Sequence, residues 1–145
     1  MTSPDLAKEN VERLIVLTER LTERLAVDAK AFEDRKPHEA AARLEETSRL
    51  ANLYRYESVR VRQDPSMVAG APLELRKRLT VVTEGFESVL ARHGRALFAA
   101  KTVTEGVVRS IAEEVVKART VGAAYGPRPN RQDTSGVAIT LNRQA

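Results

Sequence analysis

Between Pro72 and Gly122 the apolar residues recur at steps of three and four. Leu75, Leu79, Val82, Phe86, Val89, Leu97, Ala100, Val107, Ile111, Val115 and Ala118 fall on one stripe, the period of an amphipathic helix. The pattern predicts a helix over 73–121. Pro72 suits its first turn, where a missing N–H is no loss, Glu74 favours the positive end of the helix dipole, and Gly122 reads as the residue just past the end. His93 and Thr104 are the polar residues on the line, and His93 reads as a packed core histidine or a polar register mark.

Two shorter helices precede it. Ser3-Pro4-Asp5 predicts a start with Ser3 as N-cap, and Leu14, Leu17, Leu21, Leu25 and Phe32 mark the apolar face of a helix over about 4–34. Pro37 pushes the residue before it away from helical dihedrals, so Arg35-Lys36-Pro37-His38 is a tight turn or a kink, and the turn is the reading adopted. Ala40, Ala41, Leu44, Leu50, Ala51, Leu53, Tyr54, Val59 and Val61 then describe a second helix over 37–62 with a broader face. Two prolines and a glycine between Gln63 and Pro72 mark a loop. The expected fold is all-α: an antiparallel three-helix hairpin or coiled-coil bundle over 1–121 with a long C-terminal helix. The segment 122–145 reads as a flexible, disordered tail, although Val137, Ile139 and Leu141 alternate as a short strand would.

The lengths lead further. Residues 73–121 at about 1.5 Å each make a rod of roughly 73 Å, whereas 4–34 and 37–62 span only about 46 and 39 Å. If the two shorter helices pack on the start of the long one, residues from about Lys101 onward have no partner in the chain. That stretch carries Val103, Val107, Val108, Ile111, Val115, Val116 and Val121. Each gains about 1.5 to 3 kcal/mol on full burial, so the stripe is expected to bury against another helix. If Pro37 is only a kink, one long arm covers the rod and the overhang disappears.

Composition adjusts this picture little. The 145 residues include no Cys and no Trp, which leaves a Leu, Val and Ala core and excludes disulfides and thiolate metal sites. Half of the net charge of +4 sits in the tail, where Arg128, Arg131 and Arg143 face Asp133. The helical body is nearly balanced, and Arg76-Lys77-Arg78 is too small a cluster to predict nucleic-acid binding. The N-terminus has no signal-peptide pattern, and no run approaches the roughly 20 apolar residues of a membrane span. The expectation is a soluble, cytoplasmic protein.

Catalytic vocabulary is nearly absent. His38-Glu39-Ala40-Ala41-Ala42 begins like a zinc-protease helix, but alanine stands where the second histidine would have to be. Gly85, Gly94 and Gly106 lie inside the helical pattern rather than in a phosphate-cradling loop, and the acidic pairs Glu45-Glu46 and Glu113-Glu114 diverge around a helix. No catalytic residue, metal ligand or cofactor is predicted, and the chain is not expected to be an enzyme.

Thr120-Val121-Gly122-Ala123-Ala124-Tyr125-Gly126-Pro127, placed after the last helix, and Leu44-Glu45-Glu46-Thr47-Ser48-Arg49-Leu50-Ala51-Asn52-Leu53 in the second helix carry a family likeness. The chain resembles the FlgN-type flagellar export chaperones and, more closely, alphaproteobacterial flagellar proteins of the FlbY kind. The resemblance implies a helical cytoplasmic protein that holds hook-associated subunits before secretion and delivers them to the export gate. It places subunit binding on the long last helix, here Val103, Val107, Val108, Ile111 and Val115, and contact with the gate on Tyr125, Gly126 and Pro127. The asparagines often found midway along that helix are absent around His93-Gly94-Arg95-Ala96, and the pI of about 9.7 is high for such a chaperone. The alternative is a self-associating coiled-coil scaffold or regulator of flagellar assembly, a homodimer in which the stripe buries on itself.

Overall fold

The computed structural model describes residues 2–125, with side chains through Gly122. Five helices account for nearly all of them, and no strand occurs among the described residues: α1 (Ser3–Glu33), α2 (Pro37–Ala42), α3 (Leu44–Gln63), α4 (Ser66–Ala69) and α5 (Leu73–Tyr125). The chain divides into two compact units, and α5 contributes residues 73–98 to the first and 99–125 to the second.

Helix α1 starts one residue earlier than the proline pattern predicts. Thr2, not Ser3, is the N-cap, because the third helical residue is then Asp5 and a capping box can close. The Asp5 amide donates to Thr2 Oγ1 at 3.4 Å, and the Thr2 amide donates to Asp5 Oδ2 at 3.3 Å. With Ser3 as cap that third position would be Leu6, which has nothing to return. The Thr2 hydroxyl beside it holds the Asp5 carboxyl below the usual carboxylate range.

The chain reverses after α1 through a turn. The Lys36 amide reaches the Ala31 carbonyl at 2.8 Å and the Arg35 amide reaches Phe32 at 3.1 Å, the paired bonds of a Schellman motif. That motif needs a left-handed residue, and here Arg35 supplies it at φ 61°. An arginine there is disfavoured by roughly 1–2 kcal/mol, partly offset because glycine has more freedom to lose from the unfolded chain. Arg35→Gly should therefore raise stability by about 0.5 kcal/mol in chemical denaturation; a lower midpoint would show that the arginine side chain holds the turn.

The predicted second helix is split. Arg43 (φ −103°, ψ 1°) leaves helical dihedrals and separates α2 from α3. Its guanidinium reaches back to α1, where Nε and Nη2 donate to Asp28 Oδ1 at 3.2 and 3.0 Å and the Thr47 hydroxyl donates to Oδ2 at 3.5 Å. Asp28 is 4% exposed, so a buried carboxylate is matched by a cation at the break. Arg24 pairs with Glu46 further along, while Leu14 and Leu17 lie beside Leu53 and Glu57, so falling α1 numbers meet rising α3 numbers and the two helices are antiparallel.

Residues 73–98 of α5 run the other way, parallel to α1. Leu75, Leu79 and Val82 pack on Ala7, Val11, Ile15 and Ala71, and Phe86 joins Leu21 and Leu25 in a second cluster with Leu50, Ala51, Tyr54 and Val89 around it. His93 meets the Phe32 ring edge-on at 5.7 Å. The ion pairs Arg78–Glu19 and Arg92–Glu33 share one offset of 59 residues. The Arg92 guanidinium holds the exposed Glu33 carboxyl below its ordinary range, and Glu33 in turn raises Arg92. The predicted loop contains the short helix α4, whose Met67 carbonyl accepts from Asn10 Nδ2 at 3.1 Å.

Candidate functional site

The described part of the second unit, residues 99–125, is the second half of α5. No described side chain between 99 and 122 is buried. Val103, Val107 and Ile111 are 61%, 54% and 58% exposed, while Val108 and Val115 are half-buried. These five predicted positions lie on neighbouring faces of one helix. In the first unit the same line is half-buried at Leu75, Leu79, Val82 and Val89 and buried at Phe86, which is 7% exposed. The polar side chains here pair within a turn: Lys101 with Glu105 at 3.7 Å and Lys117 with Glu114 at 3.9 Å. Such exposed pairs contribute a few tenths of a kcal/mol at most. What this surface offers is area for an amphipathic helix rather than a cavity for a small molecule.

At the C-terminal end the helix does not stop at Gly122. It continues through Ala123 and Ala124 to Tyr125. Glycine permits an end but does not force one, and two alanines, the best helix formers, follow it. Tyr125 is thus a helical residue rather than a loop residue. Gly126 and Pro127, predicted with it as one contact element, lie outside the described residues, as do Val137, Ile139 and Leu141.

The first unit has a groove that the periodicity did not single out. Along the seam of α1 and α3, Val16, Leu17, Leu50 and Leu53 line a depression of about 460 Å³ bordered by Glu9, Glu12, Arg13 and Arg20. Val16 is half exposed there at 54%. The signal was the adjacent pair Val16-Leu17, which broadens the apolar face of α1 by about 100°. Asp28 was also legible in principle, as an acidic residue three and four positions from Leu25 and Phe32 on the apolar line.

His38 and Glu39 lie exposed in the first turn of α2. Among the described residues no group of three His, Asp or Glu side chains stands close enough to hold a metal ion. None of the described helices is long and apolar enough to cross a membrane.

No known family profile matches the chain, and no solved structure is detectably similar. A curated relative is similar over nearly the full length. The chain is 53% identical over 142 residues to the flagellar basal-body protein FlbY of Caulobacter vibrioides, a match that covers 96% of this chain and 95% of that relative. An identity that high over nearly the whole chain makes it a member of the FlbY family of flagellar basal-body proteins.

Proposed function

We propose that this protein is a cytoplasmic export chaperone of the flagellar type III system, which binds hook-associated-type subunits through its long C-terminal helix and delivers them to the export gate. The observation that carries the reading is the uncovered stripe of Val103, Val107 and Ile111 in a chain of a flagellar family. Val108 and Val115 widen that stripe along one side. A subunit helix with apolar residues at i, i+3, i+4 and i+7 is the natural complement of such a face. In this reading the chain is not an enzyme and uses no cofactor. The sequence resemblance to FlgN-type chaperones, which implies a subunit-binding surface on the last helix, points the same way.

Replacing Val107, Ile111 and Val115 together with Asp should abolish retention of hook-associated subunits, because a carboxylate placed against an apolar partner costs several kcal/mol. Circular dichroism and thermal melts of the free variant should change little, since none of the three is buried. A large loss of stability would assign the stripe to the protein's own core and sink the proposal.

Delivery would use Tyr125 with Gly126 and Pro127. Tyrosine is a favoured anchor, combining a large ring with a hydroxyl that can hydrogen-bond at an interface rim. Tyr125→Ala should weaken binding to the cytoplasmic domain of the export gate by about 2 kcal/mol in calorimetric titration and leave subunit binding intact. Equal affinities for wild type and variant would remove Tyr125 from the gate contact.

A further inference from the structure

One line of exposed and half-buried residues on this helix is symmetric about a single residue. At 3.6 residues per turn, Ala100, Thr104, Val107, Ile111, Val115, Ala118 and Gly122 lie within about 40° of a single line. Outward from Ile111, Val107 is matched by Val115, Thr104 by Ala118 and Ala100 by Gly122, so bulk falls off in the same order toward both ends. Thr104 belongs in this series because its hydroxyl donates to the Ala100 carbonyl at 3.0 Å, which satisfies its polar group within its own helix.

A stripe with that profile fits a copy of itself turned end for end. Rotation about a two-fold axis at Ile111 sets Ile111 on Ile111, Val107 on the partner's Val115, and the small residues on one another at both ends, where the backbones can come close. One charge pair agrees with this direction, although Lys101, which pairs with Glu105 at 3.7 Å in its own helix, lies on the same flank and would stand equally near the partner's Arg119. Glu105 and Arg119 lie on the same flank of the stripe, six residues before and eight residues after Ile111. The rotation brings Glu105 of one copy to within about 3 Å, measured along the axis, of the partner's Arg119, and symmetry repeats the match. In a parallel pair the same two side chains would be about 21 Å apart along the axis.

We propose that a second copy of this chain occupies the stripe, docked antiparallel about Ile111, and that a subunit helix must displace it. Only the displacement rests on the chaperone reading; the pairing stands on the stripe itself. With so few side chains on each face, the contact is small against the roughly 1,200 Å² at which stable interfaces begin. The dimer is therefore a weak, exchangeable cover for the stripe.

The chain has no cysteine, so Thr104→Cys and Ala118→Cys each introduce a single thiol. A disulfide needs Cα atoms within about 7 Å. The antiparallel register puts residue 104 opposite the partner's residue 118, while two copies of residue 104 are about 21 Å apart. Oxidation of an equal mixture of the two variants should give a linked dimer in several-fold higher yield than either variant alone. Linking by each variant alone, or equal yields throughout, would overturn the proposal. Sedimentation equilibrium of the unmodified full-length chain should show a concentration-dependent dimer, and a monomer at every concentration would overturn it as well. Glu105→Arg alone, which leaves Lys101 and the introduced arginine against the partner's Arg119, should weaken dimerisation at least fivefold, and Arg119→Glu added to it should restore it. A chain that stays monomeric yet retains hook-associated subunits sinks this proposal alone; a dimer that retains no subunit sinks the chaperone reading instead.

Discussion

Phe86→Ala is expected to destabilise the first unit by about 4 kcal/mol, more than any other single truncation of an α5 side chain. Phe86 is 7% exposed and is the point at which three helices meet: Leu21 and Leu25 of α1, Leu50, Ala51 and Tyr54 of α3, and Val89 of its own helix surround it. Truncation removes the transfer free energy of a benzyl group and leaves a cavity, a combined cost of about 3 to 5 kcal/mol in well-packed cores. The Tyr54 ring, with its centroid 4.6 Å away and tilted by 42°, loses its aromatic neighbour, worth about 0.5 to 1.5 kcal/mol more. Few aromatics are present to compensate, with three Phe, three Tyr and no Trp in the chain. Urea denaturation should show the full loss for alanine and about 1 to 1.5 kcal/mol for Phe86→Leu, which refills most of the volume. A loss below about 1 kcal/mol for alanine would mean that the cluster repacks freely.

Arg43→Ala is expected to cost about 3 kcal/mol, a large effect for a residue in a short connection. Its guanidinium is the cation opposite Asp28, whose side chain is 6% exposed against 27% for Arg43. Without it the carboxylate remains buried with only the Thr47 hydroxyl at 3.5 Å, and an uncompensated buried charge typically costs about 3 to 5 kcal/mol. The lower end applies because Arg43 itself is partly in water. Asp28→Asn should cost less, about 1 to 2 kcal/mol, because it removes the charge that must be neutralised. The double variant should be more stable than the sum of the singles predicts, and a double-mutant cycle measures the difference. Strict additivity would show that the two side chains are uncoupled.

Much of the first unit was legible because its determinants are periodic. The line Leu75, Leu79, Val82, Phe86 and Val89 could be read directly, and the same residues pack on α1. What escaped were features fixed by a single contact. Thr2 rather than Ser3 caps α1 because Asp5 can answer it, a choice invisible to a preference for proline in the first turn. The helix predicted over 37–62 breaks at Arg43, and the partner that draws its side chain away is Asp28, fifteen residues earlier. At the other end Gly122 suggested a stop, whereas the helix runs on to Tyr125. Of the candidate site, the positions of the exposed valines on one helix followed from spacing. The α1/α3 groove did not, because Val16 stands off the three-and-four spacing that marks Leu17.

The equal offsets of Arg78–Glu19 and Arg92–Glu33 matter for alternatives to the native fold. Stripes built from Leu, Val and Ala fit one another almost as well when one helix slides by a turn, so apolar packing alone leaves several alignments close in free energy. Each of these exposed pairs contributes well under about 1 kcal/mol to the native state. They stand fourteen residues apart on both helices, about 21 Å, so a slip of one turn breaks both at once. Together they act as a vernier: weak marks that coincide in one setting only. Neutralising both glutamates should therefore leave the melting temperature nearly unchanged while slowing refolding, as the chain spends longer in frame-shifted alignments.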